Sequence, residues 1–150
     1  MCIRDRSCTP CNKVKLNIYP KSKEEQTIHP YFDHIENQEW IKANVLHTNP
    51  IGFEFFVDPP DEWDKILKIR TRNHFNAFKL DKLYSSHAIE ELRGISVYLE
   101  KLFQNDPALM VDQLNENYTS RLKLGVNSWQ AVFYKALLND SWFCSGGLLT

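Results

Sequence analysis

The sequence lacks a long apolar run, since no stretch approaches about eighteen consecutive apolar residues, and a membrane-spanning helix is therefore not expected. Glycine and proline are scarce: five and seven residues among 150 are too few for a linker or a disordered tail. An excess of one charge is also missing, because 18 basic and 19 acidic residues give a net charge of -1. This balance predicts binding neither to nucleic acid nor to acidic lipid. The 43% hydrophobic content suits one soluble globular domain with its own core.

Cysteine is present at four positions, Cys2, Cys8, Cys11 and Cys144, without the dense regular spacing of a disulfide-rich secreted domain. The sequence therefore predicts a reducing compartment, the cytoplasm, and no disulfide. Cys8 and Cys11 have the spacing of half a zinc knuckle or of a redox dithiol. No second pair follows at the spacing of a zinc finger, so these two cysteines receive no predicted role.

The first six residues look like the translation of a sequencing adapter, and they lack the apolar segment and cleavage site of a signal peptide. We therefore expect residues 1–12 to be an artefact or the remnant of a truncated element. On this interpretation the natural protein begins upstream.

Alternating apolar residues dominate the chain from residue 13 onward, beginning with Val14, Leu16 and Ile18. Alternation of this kind predicts a strand with one buried face. Further strands are predicted at residues 27–33, 40–46, 53–57, 66–69, 75–80 and 94–99. Residues 48–52 predict a turn, because Asn49, Pro50 and Gly52 favour turn conformations.

The last third of the chain changes to helical signals. Asp106 followed by Pro107 predicts a helix start, and Ser128 predicts the start of a second helix over residues 129–138. The sequence thus predicts a mainly β domain, α+β overall. Its β-rich core covers residues 13–103, and residues 104–150 form a helical C-terminal extension of the same domain.

One family resemblance emerges from the order of these segments. Residues 13–20 (KVKLNIYP), 28–33 (IHPYFD), 72–87 and 93–96 (RGIS) resemble strands of the 2-oxoglutarate/Fe(II)-dependent oxygenases found in many phage and marine bacterial genomes. The resemblance implies a double-stranded β-helix, a jelly-roll or cupin-like fold. It also implies Fe(II) and 2-oxoglutarate as cofactors, and hydroxylation of a small molecule or a protein side chain.

The resemblance assigns the metal to His29, Asp33 and His87. Two imidazoles and one carboxylate leave open positions on iron for a bidentate cosubstrate and dioxygen. In the family a histidine lies two residues before the aspartate, and this chain has Tyr31 there. Tyr31 and His34 are therefore alternative ligands.

The cosubstrate is assigned to Arg93, whose guanidinium can form a bidentate contact with the distal carboxylate of 2-oxoglutarate. Asn17 and Tyr19 are further candidate donors to the cosubstrate. No catalytic residue is predicted beyond the metal ligands.

Two other interpretations stay open. Residues 64–73 resemble the arginine-containing strand-to-helix step of sulfotransferases, an assignment that predicts a helix over residues 75–85. That family also needs a phosphate-binding loop at a helix start, which this sequence does not show. The third interpretation is a non-catalytic β-domain that binds a ligand or takes part in an assembly.

Overall fold

A computed structural model describes residues 38–149 of the chain. In chain order its elements are β1 (Ile41–Leu46), β2 (Gly52–Val57), α1 (Lys65–Ala77), α2 (Leu80–Asn105), α3 (Pro107–Leu122), α4 (Trp129–Asn139), α5 (Ser141–Cys144) and the 3-10 helix Gly147–Leu149. This part of the chain is mainly helical, so the predicted double-stranded β-helix is wrong. No helix between residues 38 and 149 has the length and apolarity that a bilayer crossing requires.

Strands β1 and β2 form an antiparallel hairpin whose register runs from Ile41 opposite Val57 to Leu46 opposite Gly52. Alternate residues point to one side of a strand, and Ile41 and Val45 are buried together with Phe53 and Phe55. In the connecting turn the Thr48 hydroxyl donates a hydrogen bond to the carbonyl of Pro50 over 2.8 Å. The strands predicted at residues 40–46 and 53–57, and the turn between them, are confirmed.

Helices α1 and α2 replace the strands predicted at residues 66–69, 75–80 and 94–99. The Asp64 carboxylate caps the start of α1 by accepting from the amide of Leu67 at 2.7 Å. Along α2, burial recurs at Tyr84, Ala88 and Leu92, four residues apart, as on one face of a helix. The strand predictions failed because apolar runs of four to six residues do not distinguish a buried strand from a helix segment.

The two predicted helix starts in the last third of the chain are confirmed. The Asp106 carboxylate accepts from the amide of Ala108 at 3.0 Å, and Pro107 occupies the first helical position of α3. The Ser128 hydroxyl accepts from the amide of Ala131 at 3.2 Å and caps α4. Strand structure within the described part ends at Val57, so the β-rich core predicted to reach residue 103 is also wrong.

The core lies where the hairpin packs on α2 and α4. The ring of Phe53 contacts that of Phe133 edge-on at a centroid distance of 5.1 Å, and Phe55 contacts Tyr84 at 5.7 Å. Helix α4 is buried around most of its circumference, with Phe133 and Leu137 fully inaccessible to solvent. It therefore forms the centre of the described fold.

Asn127, in the loop before α4, fixes the start of β1. It is fully buried, and its Oδ1 accepts from the amides of Trp40 (2.9 Å) and Ile41 (3.1 Å). Its Nδ2 donates to the carbonyl of Gln38 over 2.6 Å. One side chain therefore satisfies three backbone groups that the hairpin does not pair itself.

Candidate functional site

Most of the predicted metal and cosubstrate residues lie outside the described residues. This applies to Asn17, Tyr19, His29, Tyr31, Asp33 and His34. Cys8 and Cys11 lie outside them as well. The structure therefore places only His87 and Arg93 of the predicted set.

His87 and Arg93 lie on one long helix, α2, rather than on a ligand strand and a neighbouring cosubstrate strand. Six residues along a helix turn the chain through about 240°, so their side chains leave different faces. The His87 ring stacks on Trp129 with centroids 5.3 Å apart. Arg93 instead lines a cavity on the other side of α2.

Within residues 38–149, no group of three or more His, Cys, Asp or Glu side chains could hold a metal ion. His87 and Arg93 do not share a site, and the β-helix that would join them is not formed. His29, Asp33 and the alternative ligands lie outside the described residues, so the assignment of Fe(II) and 2-oxoglutarate stays a prediction that the described part of the chain does not support. For the sulfotransferase alternative, Lys65–Ala77 is one continuous helix with no strand at residues 64–73, whereas the helix expected over residues 75–85 is present as the end of α1 and the start of α2. The sulfotransferase activity itself stays a prediction.

A cavity of about 380 Å³ lies between three segments of the described part. One wall is α2, one is the hairpin turn, and the third is formed by α5 and the 3-10 helix. We call it the His47–Trp142 pocket. It is lined by His47, Thr48, Asn49, Pro50, Ile51, Ile89, Leu92, Arg93, Ser96, Trp142, Gly147 and Leu148.

A stacked pair of rings forms one side of this pocket. His47, at the end of β1, lies against Trp142 of α5 with ring centroids 4.2 Å apart and planes inclined by 27°. The Nε2 atom of His47 lies 2.8 Å from Oδ2 of Asp140, while Oδ1 of Asp140 accepts from the amide of Phe143 at 2.8 Å. The same carboxylate thus caps α5 and orients the imidazole.

The α2 side of the pocket follows the helical period. Ile89, Leu92, Arg93 and Ser96 are spaced three, one and three residues apart, which brings them to one helix face. Ile89 and Leu92 make this wall apolar near the core. Arg93 is exposed and forms no ion pair with any residue in 38–149.

The third wall depends on a glycine. A Cβ atom built on Gly147 would lie 2.4 Å from Cδ2 of Trp142, closer than side chains approach one another. Only glycine lets the 3-10 helix pass this near to the indole ring. Gly147 therefore holds Trp142 in the position where it stacks on His47.

The arrangement offers three chemical capacities. The Arg93 guanidinium can bind an anion, the stacked rings can cover a planar group, and the Ser96 hydroxyl can donate or accept. When Nε2 of His47 carries the proton held toward Asp140, Nδ1 is left as an acceptor. Nearby, burial and then the charge of Asp140 raise the pKa of the Cys144 thiol, which keeps this thiol protonated and poorly nucleophilic.

Two lysines elsewhere in the described part form ion pairs with carboxylates. Lys135 contacts both carboxylate oxygens of Glu39 at 2.6 and 2.7 Å, and Lys42 contacts Asp58 at 2.6 Å. The hydrogen bond to Asp58 raises the pKa of Lys42. Both lysines line a second cavity, of about 340 Å³, but their charges are already neutralised.

Tyr134 forms a further polar contact at the edge of the core. Its hydroxyl donates to Oε1 of Glu91 over 2.7 Å, and Arg121 lies 3.9 Å from the same oxygen. Burial, and then the hydrogen bond to Glu91, raise the pKa of Tyr134 well above its ordinary value. This contact joins α4 to α2.

Sequence reasoning assigned Arg93 to the cosubstrate and read residues 93–96 as part of a strand, and it did not select Ser96, His47, Asp140 or Trp142 as site residues. The spacing of residues 89, 92, 93 and 96 is a helical signal that extends beyond the predicted strand at residues 94–99. Asp140 before the short α5 has the chemistry of a helix cap. The stacking of His47 on Trp142 has no local signal, because the two residues are far apart along the chain.

No protein-family profile matches the chain, and no solved structure matches it. The chain is similar to the Protein ea31 of Escherichia phage lambda, with 25% identity over 154 aligned residues. The alignment covers 93% of this chain and 52% of that protein, so the chain spans about half the length of this curated relative. The name of the relative states neither an activity nor a ligand.

Proposed function

We propose that the described part of the chain is a binding module, and that the His47–Trp142 pocket takes a small organic acid with a planar or apolar body. The observation that carries the proposal is the lining of a single cavity. The Arg93 guanidinium, which forms no ion pair within residues 38–149, and the Ser96 hydroxyl share it with the stacked rings of His47 and Trp142. The proposal keeps the binding role of the third sequence interpretation and places it on a helical fold.

The charge of the ligand is inferred from Arg93. A guanidinium binds carboxylates through two parallel hydrogen bonds, and no carboxylate in residues 38–149 occupies Arg93 in this way. The Ser96 hydroxyl, one helical turn further along α2, donates to the backbone carbonyl of Arg93 at 3.2 Å, and by redirecting this proton it can add a neutral hydrogen bond to a ligand. A carboxylate-bearing ligand uses both groups.

The body of the ligand is inferred from the rest of the lining. Ile89 and Leu92 present apolar surface on α2, and the indole of Trp142 presents a flat aromatic face. A volume of about 380 Å³ lies at the lower end of the range of small-molecule sites. We place this binding in the cytoplasm, because the cysteine content suits a reducing compartment.

Phenylacetate and its uncharged amide, phenylacetamide, test the proposal. Binding is followed by protein-observed NMR, with the indole N–H signal of Trp142 identified through its loss in Trp142→Leu. We expect phenylacetate to bind roughly tenfold more tightly than the amide, since a charge-assisted hydrogen bond contributes about 1.5–3 kcal/mol. The Arg93→Gln variant should bind the two compounds equally.

Lys101→Gln is the matched control, because it removes one exposed positive charge from the same helix at a residue that does not line the pocket. It should keep the preference for the acid. Trp142→Leu should weaken the binding of both compounds, because each loses its contact with the indole ring. Equal binding of acid and amide by the unmodified chain, or an unchanged preference in Arg93→Gln, would overturn the proposal.

A further inference from the structure

Helix α1 and the residues just after it concentrate positive charge. Residues 65–79 contain no carboxylate and five cations, which are Lys65, Lys68, Arg70, Arg72 and Lys79. Lys65, Lys68 and Arg72 are spaced three and four residues apart, so they lie on one face over about 10 Å of helix length. The net charge of -1 for the whole chain conceals this local concentration of positive charge.

The cations of this face contribute little to the fold. Lys65 and Arg72 are exposed, and neither forms an ion pair with a residue of the described part. Among the described residues, Lys68 donates only to the backbone carbonyl of Asp61, at 3.2 Å. Lys65 lies in the first helical turn, where the helix dipole disfavours a positive charge. These charges therefore remain available to an external anion.

An aromatic hollow of about 260 Å³ adjoins Arg72, between α1 and β2. The residues that matter for recognition are Phe56, Asn76 and Asp81, and we call this cavity the Phe56 hollow. Phe56 is half-buried as a residue, and it lines both this hollow and the second cavity beside Lys42. Asn76 adds an exposed amide and Asp81 an acceptor at the edge of the hollow.

We propose that the face of α1 with Lys65, Lys68 and Arg72, here called the outer face of α1, binds a single-stranded segment of nucleic acid together with the Phe56 hollow. Lys65, Lys68 and Arg72 contact its phosphates, and one base stacks on Phe56 in the hollow. Sites for single strands combine a basic track with aromatic side chains in this way. An acidic peptide needs the cations alone and leaves the aromatic hollow without a role.

Asp81 gives the site a base preference. A carboxylate accepts a hydrogen bond from the exocyclic amino group of cytosine, and thymine has no such group. Oligo-dC should therefore bind more tightly than oligo-dT. The Phe56 hollow shares no lining residue with the His47–Trp142 pocket, so the two proposals succeed or fail separately.

Fluorescence anisotropy with labelled dC and dT oligomers of about ten nucleotides tests the proposal on the full chain. We expect Lys65→Gln/Arg72→Gln to weaken the binding of oligo-dC by roughly tenfold or more at low salt, because two phosphate contacts are lost. Phe56→Leu should weaken it by about fivefold or more through lost stacking. Asp81→Ala should abolish the preference for dC over dT. Circular dichroism confirms that each variant is folded.

The control variant is Lys101→Gln/Lys123→Gln, which removes the same charge from exposed positions away from the Phe56 hollow. It should change the affinity by less than about twofold. Absence of binding at low salt, equal losses in the two double variants, or unchanged affinity in Phe56→Leu would each overturn the proposal. Displacement of the oligomer by an equal charge concentration of polyglutamate would assign the face to an acidic protein instead.

Discussion

Asn127 is fully buried and bonds to three backbone groups of residues 38–41, whereas Lys65 and Arg72 are exposed and form no ion pair with any described residue. The first region places a polar side chain where the fold depends on it. In the second region, Lys65 and Arg72 form no ion pair with a described residue that would stabilise the fold. Because stability alone explains Asn127 and does not explain the α1 cations, the comparison separates polar groups that maintain the structure from those free to bind a partner.

Removal of the Asn127 side chain should have the largest effect. Asn127→Ala leaves the amides of Trp40 and Ile41 and the carbonyl of Gln38 without their partner. Since each unsatisfied buried group costs about 1–3 kcal/mol and the amides of Trp40 and Ile41 are buried while Gln38 is exposed, we expect the free energy of unfolding to fall by about 2–5 kcal/mol. Urea unfolding measures it. Asn139→Ala, an exposed position at the end of α4, is the control and should change stability by less than about 0.5 kcal/mol.

Tyr134 is a case between these two extremes, because its ring is buried while its hydroxyl donates to the partly exposed Glu91. Tyr134→Phe should lower stability at pH 7 by about 1–2 kcal/mol through loss of the hydrogen bond to a charged acceptor. The exposed Tyr98→Phe is the control. A loss no greater than that of the control would show that the contact contributes nothing.

The same residue predicts a dependence on pH. The pKa of Tyr134 is raised in the folded protein, so the folded chain keeps a proton that the unfolded chain loses as the pH rises through 10.0. The contribution is complete below this pH and declines above it. Urea unfolding at pH 8 and above pH 10 should show a smaller alkaline loss of stability in Tyr134→Phe than in the unmodified chain.

Within α1 itself, Asp64 should contrast with the cations beside it. Asp64→Ala removes the cap of the helix, and we expect a loss of about 1 kcal/mol in urea unfolding. Glu62→Ala removes an equal charge from an exposed residue before the helix and should have little effect. A similar loss in both variants would mean that charge, rather than the hydrogen bond to Leu67, is responsible.

The smallest effect is expected on the outer face of α1. Lys65→Gln/Arg72→Gln should change the free energy of unfolding by no more than about 0.5 kcal/mol, because neither side chain supports the fold. Thermal and urea unfolding measure this change. A loss above about 1 kcal/mol would contradict the comparison, since it would show that these cations stabilise the chain.

Local chemistry explains what the sequence predicted correctly. Ile41 and Val45 alternate with polar neighbours, and the turn residues that follow need only their own conformational preferences to reverse the chain. Asp106 before Pro107 and Ser128 before α4 are helix starts for equally local reasons. All four features are present in the structure.

The incorrect strand predictions concern segments too short to show a helical period. The missed site residues depend on contacts between residues far apart along the chain. Residues 66–69 form too short an apolar run to show a period, and Arg93 and Ser96 lie three apart, a spacing that separates them on a strand but joins them on a helix. The contact of Asn127 with Trp40 connects residues 87 positions apart, which no local pattern encodes. The same holds for the stacking of His47 on Trp142.

This separation of 87 residues also has a consequence during synthesis. At a translation rate of about 5–20 residues per second, β1 leaves the ribosome roughly 4–17 s before Asn127 does. Throughout that interval the hairpin has no α4 to pack on, and Phe53 and Phe55 remain exposed to solvent or to a chaperone. If translation stops within α2 or α3, the nascent chain therefore contains both strands but lacks α4, on which the hairpin packs in the folded protein.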